Sequence, residues 1–155
     1  MSKAFTSEEN EDEELPAPEA PSLPSGAKNY ITPEGARCLR QELEALKESL
    51  PRDKDALDQK YKRAKARIAY LEQRISTLVE QSSSPLDTIR FGHHVVLADA
   101  KGHEEIYRIV GVDEVDLEHG SISWVSPLAQ VLLGKKKGDS VTLAGRTLQI
   151  HQIKA

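Results

Sequence analysis

Asp53, Asp55 and Asp58 fall within six residues near the middle of the chain. Carboxylates so spaced either compensate the start of a helix or help hold a divalent cation, and spacing alone leaves both open. Five cations follow at once, Lys60, Lys62, Arg63, Lys65 and Arg67. Such a cluster is either a solvated helix face or a basic ridge tracking a nucleic-acid backbone. The five histidines (His93, His94, His103, His119, His151) are scattered. His93 and His94 are adjacent and point to opposite faces of any strand, so they cannot readily share a metal. Leu133-Gly134-Lys135 fails as a phosphate loop, because Ala129 stands where glycine is needed and a helix precedes it. No nucleophile–base arrangement stands out. The chain reads as a non-enzyme with no catalytic residues and no bound cofactor or metal of its own.

These residues must be positioned by a small number of elements. Thr32-Pro33-Glu34 starts a helix with a hydroxyl cap, a first-position proline and an acid in the first turn. Ala36, Leu39, Leu43, Leu46 and Leu50 continue it at alternating spacings of 3 and 4, and Pro51 stops it. Asp53 can cap a second helix whose apolar stripe is Leu57, Tyr61, Ala64, Ile68, Leu71, Ile75 and Leu78. Two heptad-patterned helices joined by a short turn predict an antiparallel coiled-coil hairpin over residues 30–81. Ser82-Ser83-Ser84-Pro85 opens a linker over 82–90. The period then changes to two. Strands are expected at 94–97 and 105–110 around the turn Ala100-Lys101-Gly102, and at 122–125, 141–143 and 147–153. A short helix begins at Ser126-Pro127 and stops at Gly134. The fold class is α+β, with a hairpin followed by a small sheet domain over 91–155.

The chain has 155 residues, enough for one domain or two small ones, with a formal net charge of −4. Residues 1–29 hold seven acidic side chains (Glu8, Glu9, Glu11, Asp12, Glu13, Glu14, Glu19) against Lys3 and Lys28, with four prolines and little to bury. This segment reads as a disordered acidic tail serving solubility, or masking a basic surface. No apolar run is long enough for a membrane span, and MSKAFTSEENEDEE lacks the apolar stretch of a secretory signal. Cys38, the only cysteine, rules out an internal disulfide and fits a reducing compartment. Beside Leu39 it reads as a packed thiol. A cytoplasmic protein is expected.

The strings YRIVGVDE (Tyr107 to Glu114), IS (Ile122, Ser123) and SPLAQVLLGKKKGD (Ser126 to Asp139) resemble the GreA/GreB transcript-cleavage and elongation factors of bacteria. Phe91-Gly92 and the opening ITPEGARCLRQELEAL resemble them too, so the likeness spans residues 30–155. It implies a coiled-coil hairpin followed by an FKBP-like domain, docked on RNA polymerase with the coil entering its secondary channel. The implied docking spot is Trp124, Val125, Ser126, Pro127 and Leu128. Nucleic acid would be met through the polymerase complex, which is the sense of any DNA binding, and the intramolecular hairpin implies a monomer.

Cleavage-stimulating members carry a G-D-x-x-E-N-x-x-Y tip whose acids help polymerase hold a second Mg²⁺, and no such string exists here. The coil arms fall short of the family pattern by about 12–19 residues together, shortening the hairpin by about 9–14 Å. The regulator of nucleoside diphosphate kinase shares such a shortened coil. The expected function is therefore a channel-binding regulator of elongation without strong cleavage stimulation. The alternatives are a cleavage factor using Asp53, Asp55 or Asp58, with any Mg²⁺ belonging to the polymerase, and a generic coiled-coil adaptor. A prolyl isomerase is disfavoured, because two Phe, four Tyr and one Trp are too few for an aromatic-lined pocket.

Overall fold

The computed structural model describes residues 23–50, 58–82 and 85–155. The acidic residues Glu8 to Glu19 and the aspartates Asp53 and Asp55 lie outside them. The architecture is mixed α+β: two packed helices with a two-stranded ribbon at their base, and a five-stranded sheet carrying a short helix.

Helix α1 (Pro33–Ser49) begins where Thr32-Pro33 predicts, the Thr32 hydroxyl accepting from the Gly35 amide at 3.1 Å. Helix α2 spans Gln59–Ser76. Its cap is Asp58, whose carboxylate accepts from the Lys60 amide at 3.0 Å, so the assignment of that role to Asp53 is corrected. The helices bury Ala36, Leu39 and Leu71 with Ile31, and Leu43, Leu46, Tyr70, Ile75 and Leu78 pack around them. The stripe does not stay helical to Leu78. Leu78–Glu80 leaves the helix and pairs as β2, in parallel, with strand β1 (Asn29–Ile31), whose only strand partner among the described residues it is. Asn29 fixes the exit, donating from Nδ2 to the Arg74 carbonyl and the Thr77 hydroxyl.

The sheet has the order β5-β4-β3-β7-β6, from β3 (His94–Ala98), β4 (Glu104–Val110), β5 (Ser121–Ser123), β6 (Ser140–Leu143) and β7 (Arg146–Lys154). All pairs are antiparallel except β4–β5. That parallel pair needs a crossover, supplied by residues 111–120 with 3₁₀ turns at Val112–Glu114 and Leu117–His119. Helix α3 (Pro127–Leu132) lays Ala129 and Leu132 on Val95, Leu97, Ile109, Ile122, Leu148 and Ile150. Ile89, within the expected linker, is 1% exposed and belongs to this core. Its amide donates to Lys135 and its carbonyl accepts from Gly134, which stitches the approach segment to the end of α3. Cys38 is exposed, which corrects the packed-thiol expectation: it lies next to the buried Leu39 but on the solvent side of α1.

The β6–β7 hairpin turns through Ala144 (φ 51°) and Gly145 (φ 77°). Two consecutive positive φ angles suit the right-handed strand twist, yet an alanine Cβ opposes the first of them. Ala144→Gly or Ala144→Asn should raise unfolding free energy by about 0.5–1 kcal/mol in urea titrations, at an unchanged m-value.

Candidate functional site

Residues 123–128 form a turn held almost entirely by its own chain. The Trp124 amide donates to the Val110 carbonyl at 2.9 Å and the Ser126 amide to the Ser123 carbonyl at 2.9 Å. The Val125 amide reaches the Ser123 hydroxyl, and the Gln130 side chain donates to the Trp124 carbonyl at 2.6 Å. Ser126 caps α3, its hydroxyl accepting from the Ala129 amide. Pro127 is exposed and Leu128 packs on the sheet core. The Trp124 indole lies edge-on to Tyr30 of β1, with ring centroids 5.2 Å apart, and Tyr30 also meets Phe91 at 6.0 Å. Of the five residues read together as one surface, only Pro127 is exposed; Trp124, Val125, Ser126 and Leu128 are half-buried around it.

The basic cluster divides too. At 100° per residue, Lys60, Arg63 and Arg67 lie along one flank of the apolar face of α2, while Lys62 and Lys65 lie across its other side. It is two lines of charge and not one ridge. Arg67 is engaged by Glu42 of α1 through two hydrogen bonds, 2.7 and 3.1 Å, and stacks over the Tyr70 ring. Lys65 lies 5.6 Å above the Tyr61 ring. Lys60, Lys62 and Arg63 are exposed and make no ion pair with another described residue. Of the three aspartates, Asp58 has one oxygen occupied by its cap. No group of three metal-ligating side chains occurs among the described residues.

Sequence reasoning missed the junction between the helices and the sheet. Asp113 and Glu114 end one 3₁₀ turn, and each grips a different helix. Asp113, its side chain 6% exposed, accepts from the Tyr70 hydroxyl and, at 2.8 Å, from Arg74 Nε, both on α2. Glu114 accepts from the Thr32 hydroxyl, from the Thr32 amide at 3.1 Å and from the Gly111 amide at 2.8 Å. A capping box normally draws its glutamate from the third residue of the helix itself. In α1 that residue is Gly35, and a Cβ there would lie 2.0 Å from Glu114 Oε1. The missing side chain is replaced by that of Glu114, 82 positions along the sequence from the cap residue Thr32. Gly111 allows the same closeness from the other side, since a Cβ on it would sit 2.2 Å from the Tyr30 carbonyl. Arg108 adds an exposed contact to Glu34 at 3.0 Å, and this pair holds the Glu34 carboxyl below its usual range. A glycine in the first turn of a strongly patterned helix was the available signal.

The fold and these surfaces define a class: a helical pair hydrogen-bonded at its base to a small α+β body. The C-terminal domain model of the transcription elongation factors GreA/GreB matches residues 83–154. The GreA elongation factor of Nitratiruptor sp. is 34% identical over 137 residues, 75% of this chain and 84% of that protein. GreB of Neisseria meningitidis is 30% identical over 141 residues, 75% of this chain and 85% of that protein. Among solved structures, the GreA factor homolog 1 protein of Thermus thermophilus is similar at 26% identity and a TM-score of 0.42, covering 83% of this chain and 100% of that one. The chain belongs to the GreA/GreB transcription elongation factor family.

Burial, followed by the hydrogen bond to Asp113, pushes the Tyr70 phenol up to about 12. The folded state therefore holds this proton more tightly than the unfolded chain, where a phenol titrates near its ordinary value of about 10. The resulting stability is complete below pH ~10 and is lost as pH rises toward ~12. A near-ultraviolet absorbance titration should show Tyr70 as the last of the four tyrosines to ionise, and Tyr70→Phe should delete that step.

Proposed function

We propose that this protein binds RNA polymerase at its secondary channel and regulates elongation without strong stimulation of transcript cleavage. In this reading the sheet body is an FKBP-like docking domain that meets polymerase through the exposed Pro127 and the half-buried cap Ser126, with Trp124, Val125 and Leu128 shaping the surface around them. The helices α1 and α2 form a short antiparallel coiled-coil hairpin that enters the channel. Lys60 and Arg63 on one line of charge, and Lys62 on the other, are the cations available to RNA. The protein acts as a monomer in the cytoplasm, is not itself an enzyme and carries no cofactor, and any Mg²⁺ belongs to the polymerase.

One observation carries this reading. A family member with the ITPEGARCLRQELEAL and SPLAQVLLGKKKGD strings contains no G-D-x-x-E-N-x-x-Y tip. Second-metal chemistry needs carboxylate oxygens at about 2.0–2.1 Å from Mg²⁺, and a shorter arm cannot make that up by side-chain choice. Occupying the channel without supplying those oxygens competes with factors that do.

Backtracked elongation complexes with purified polymerase test it, scoring both binding and short-RNA release. The expected result is binding without release, together with displacement of a cleavage-stimulating factor. Release at the level of such a factor would overturn the reading, as would failure to bind. Pro127→Arg should weaken polymerase binding about tenfold, equivalent to about 1.4 kcal/mol. Reversing Lys60, Lys62 and Arg63 to glutamate should leave docking within about threefold while removing the effect on the paused complex.

A further inference from the structure

We infer that Asp113 and Glu114 are positioning residues that fix the direction of the helical arm, so that docking of the sheet body sets where the arm's far end lies. The inference rests on the functional reading above and adds the device by which docking in one place is felt in another.

The geometry is specific to that task. Both acids belong to a single 3₁₀ turn, and they divide the arm between them: Asp113 takes α2 through Tyr70 and Arg74, and Glu114 takes α1 through Thr32. Two grips on two helices restrain rotation as well as separation, which a single contact does not. The turn follows β4 directly, and β4 is paired to β3 at the centre of the sheet, so its base is stiff. On its far side the same junction meets the docking turn, since Tyr30 of β1 packs edge-on against Trp124. Arm base, clamp and docking turn are therefore contiguous.

Leverage makes the restraint matter. An α-helix of 17 residues is about 25 Å long, so a 10° swing at its base displaces its end by about 4 Å. That is more than the tolerance of a hydrogen bond or an ion pair with RNA or polymerase. Mere attachment does not require the third position of α1 to be empty. A local glutamate at Gly35 would cap the helix equally well and bind it to nothing else.

The test separates capping from clamping. Asp113→Ala with Tyr70→Phe cuts the α2 grip, removing the acceptor for both Tyr70 and Arg74. Glu114→Ala with Gly35→Glu moves the carboxylate onto α1, so the helix stays capped while its tie to the body is cut. Each pair is built into a Cys38→Ser protein spin-labelled at Ser49→Cys and Lys137→Cys, and the interspin distance distribution is measured by pulsed electron paramagnetic resonance. Crosslinking of Arg63, replaced by a photoreactive residue, to backtracked RNA is scored on polymerase alongside binding.

A narrow distribution is expected for the unaltered junction and one at least about twofold broader for both variants, with polymerase binding within about threefold and RNA crosslinking reduced about tenfold or more. An unchanged distribution overturns the inference, and so does a broadened one with full crosslinking. Failure of the functional reading shows separately, as absence of polymerase binding by the unaltered protein.

Discussion

The carboxylate pair Asp113–Glu114 is the constraint on which the rest of the molecule depends. Two acids side by side repel one another, and the Asp113 side chain is almost fully buried. The arrangement stands because every oxygen has a donor: phenol and guanidinium for Asp113, hydroxyl and two amides for Glu114. Those donors come from α1, α2 and the turn itself. Folding of the sheet and packing of the helices are thus coupled through charge, while the two hydrophobic clusters, one beneath α3 and one between α1 and α2, remain separate.

Glycine makes this coupling possible by subtraction. Gly35 and Gly111 both lie against the Glu114 side chain, and each leaves room that a methyl group would fill. Neither is used for an unusual backbone angle, since both keep negative φ. Their role is close approach, which costs the first turn of α1 some intrinsic helical preference. The helix tolerates this because Thr32, Pro33 and the distant glutamate secure its start.

Local signals were legible in the sequence and non-local ones were not. Thr32-Pro33 and Ser126-Pro127 announce two helix starts through cap chemistry confined to four residues, and both helices begin there. The alternating strands and the glycine turns around Gly102 and Gly145 are likewise short-range. The β1–β2 ribbon was not legible, because Leu78 fits the heptad stripe and becomes a strand only when Asn29–Ile31 supplies a partner 49 positions away. Asp58, read among possible tip carboxylates, is a cap for the same reason: its use depends on where α2 starts. The division of the basic cluster into two lines follows from helical geometry alone. The engagement of Arg67 by Glu42 needed the second helix.

The parallel ribbon has a consequence for how such a molecule can vary. Chain leaves the body at β1 and returns to it at β2, immediately alongside. Everything between, residues 32–77, is a closed excursion whose two ends are pinned together. Matched insertions or deletions in α1 and α2, made beyond Leu39 and before Tyr70, would alter reach in steps of whole turns and leave the pinned base untouched. Arm length is in that sense a free parameter of the architecture, adjustable by paired indels without re-engineering the body that carries it.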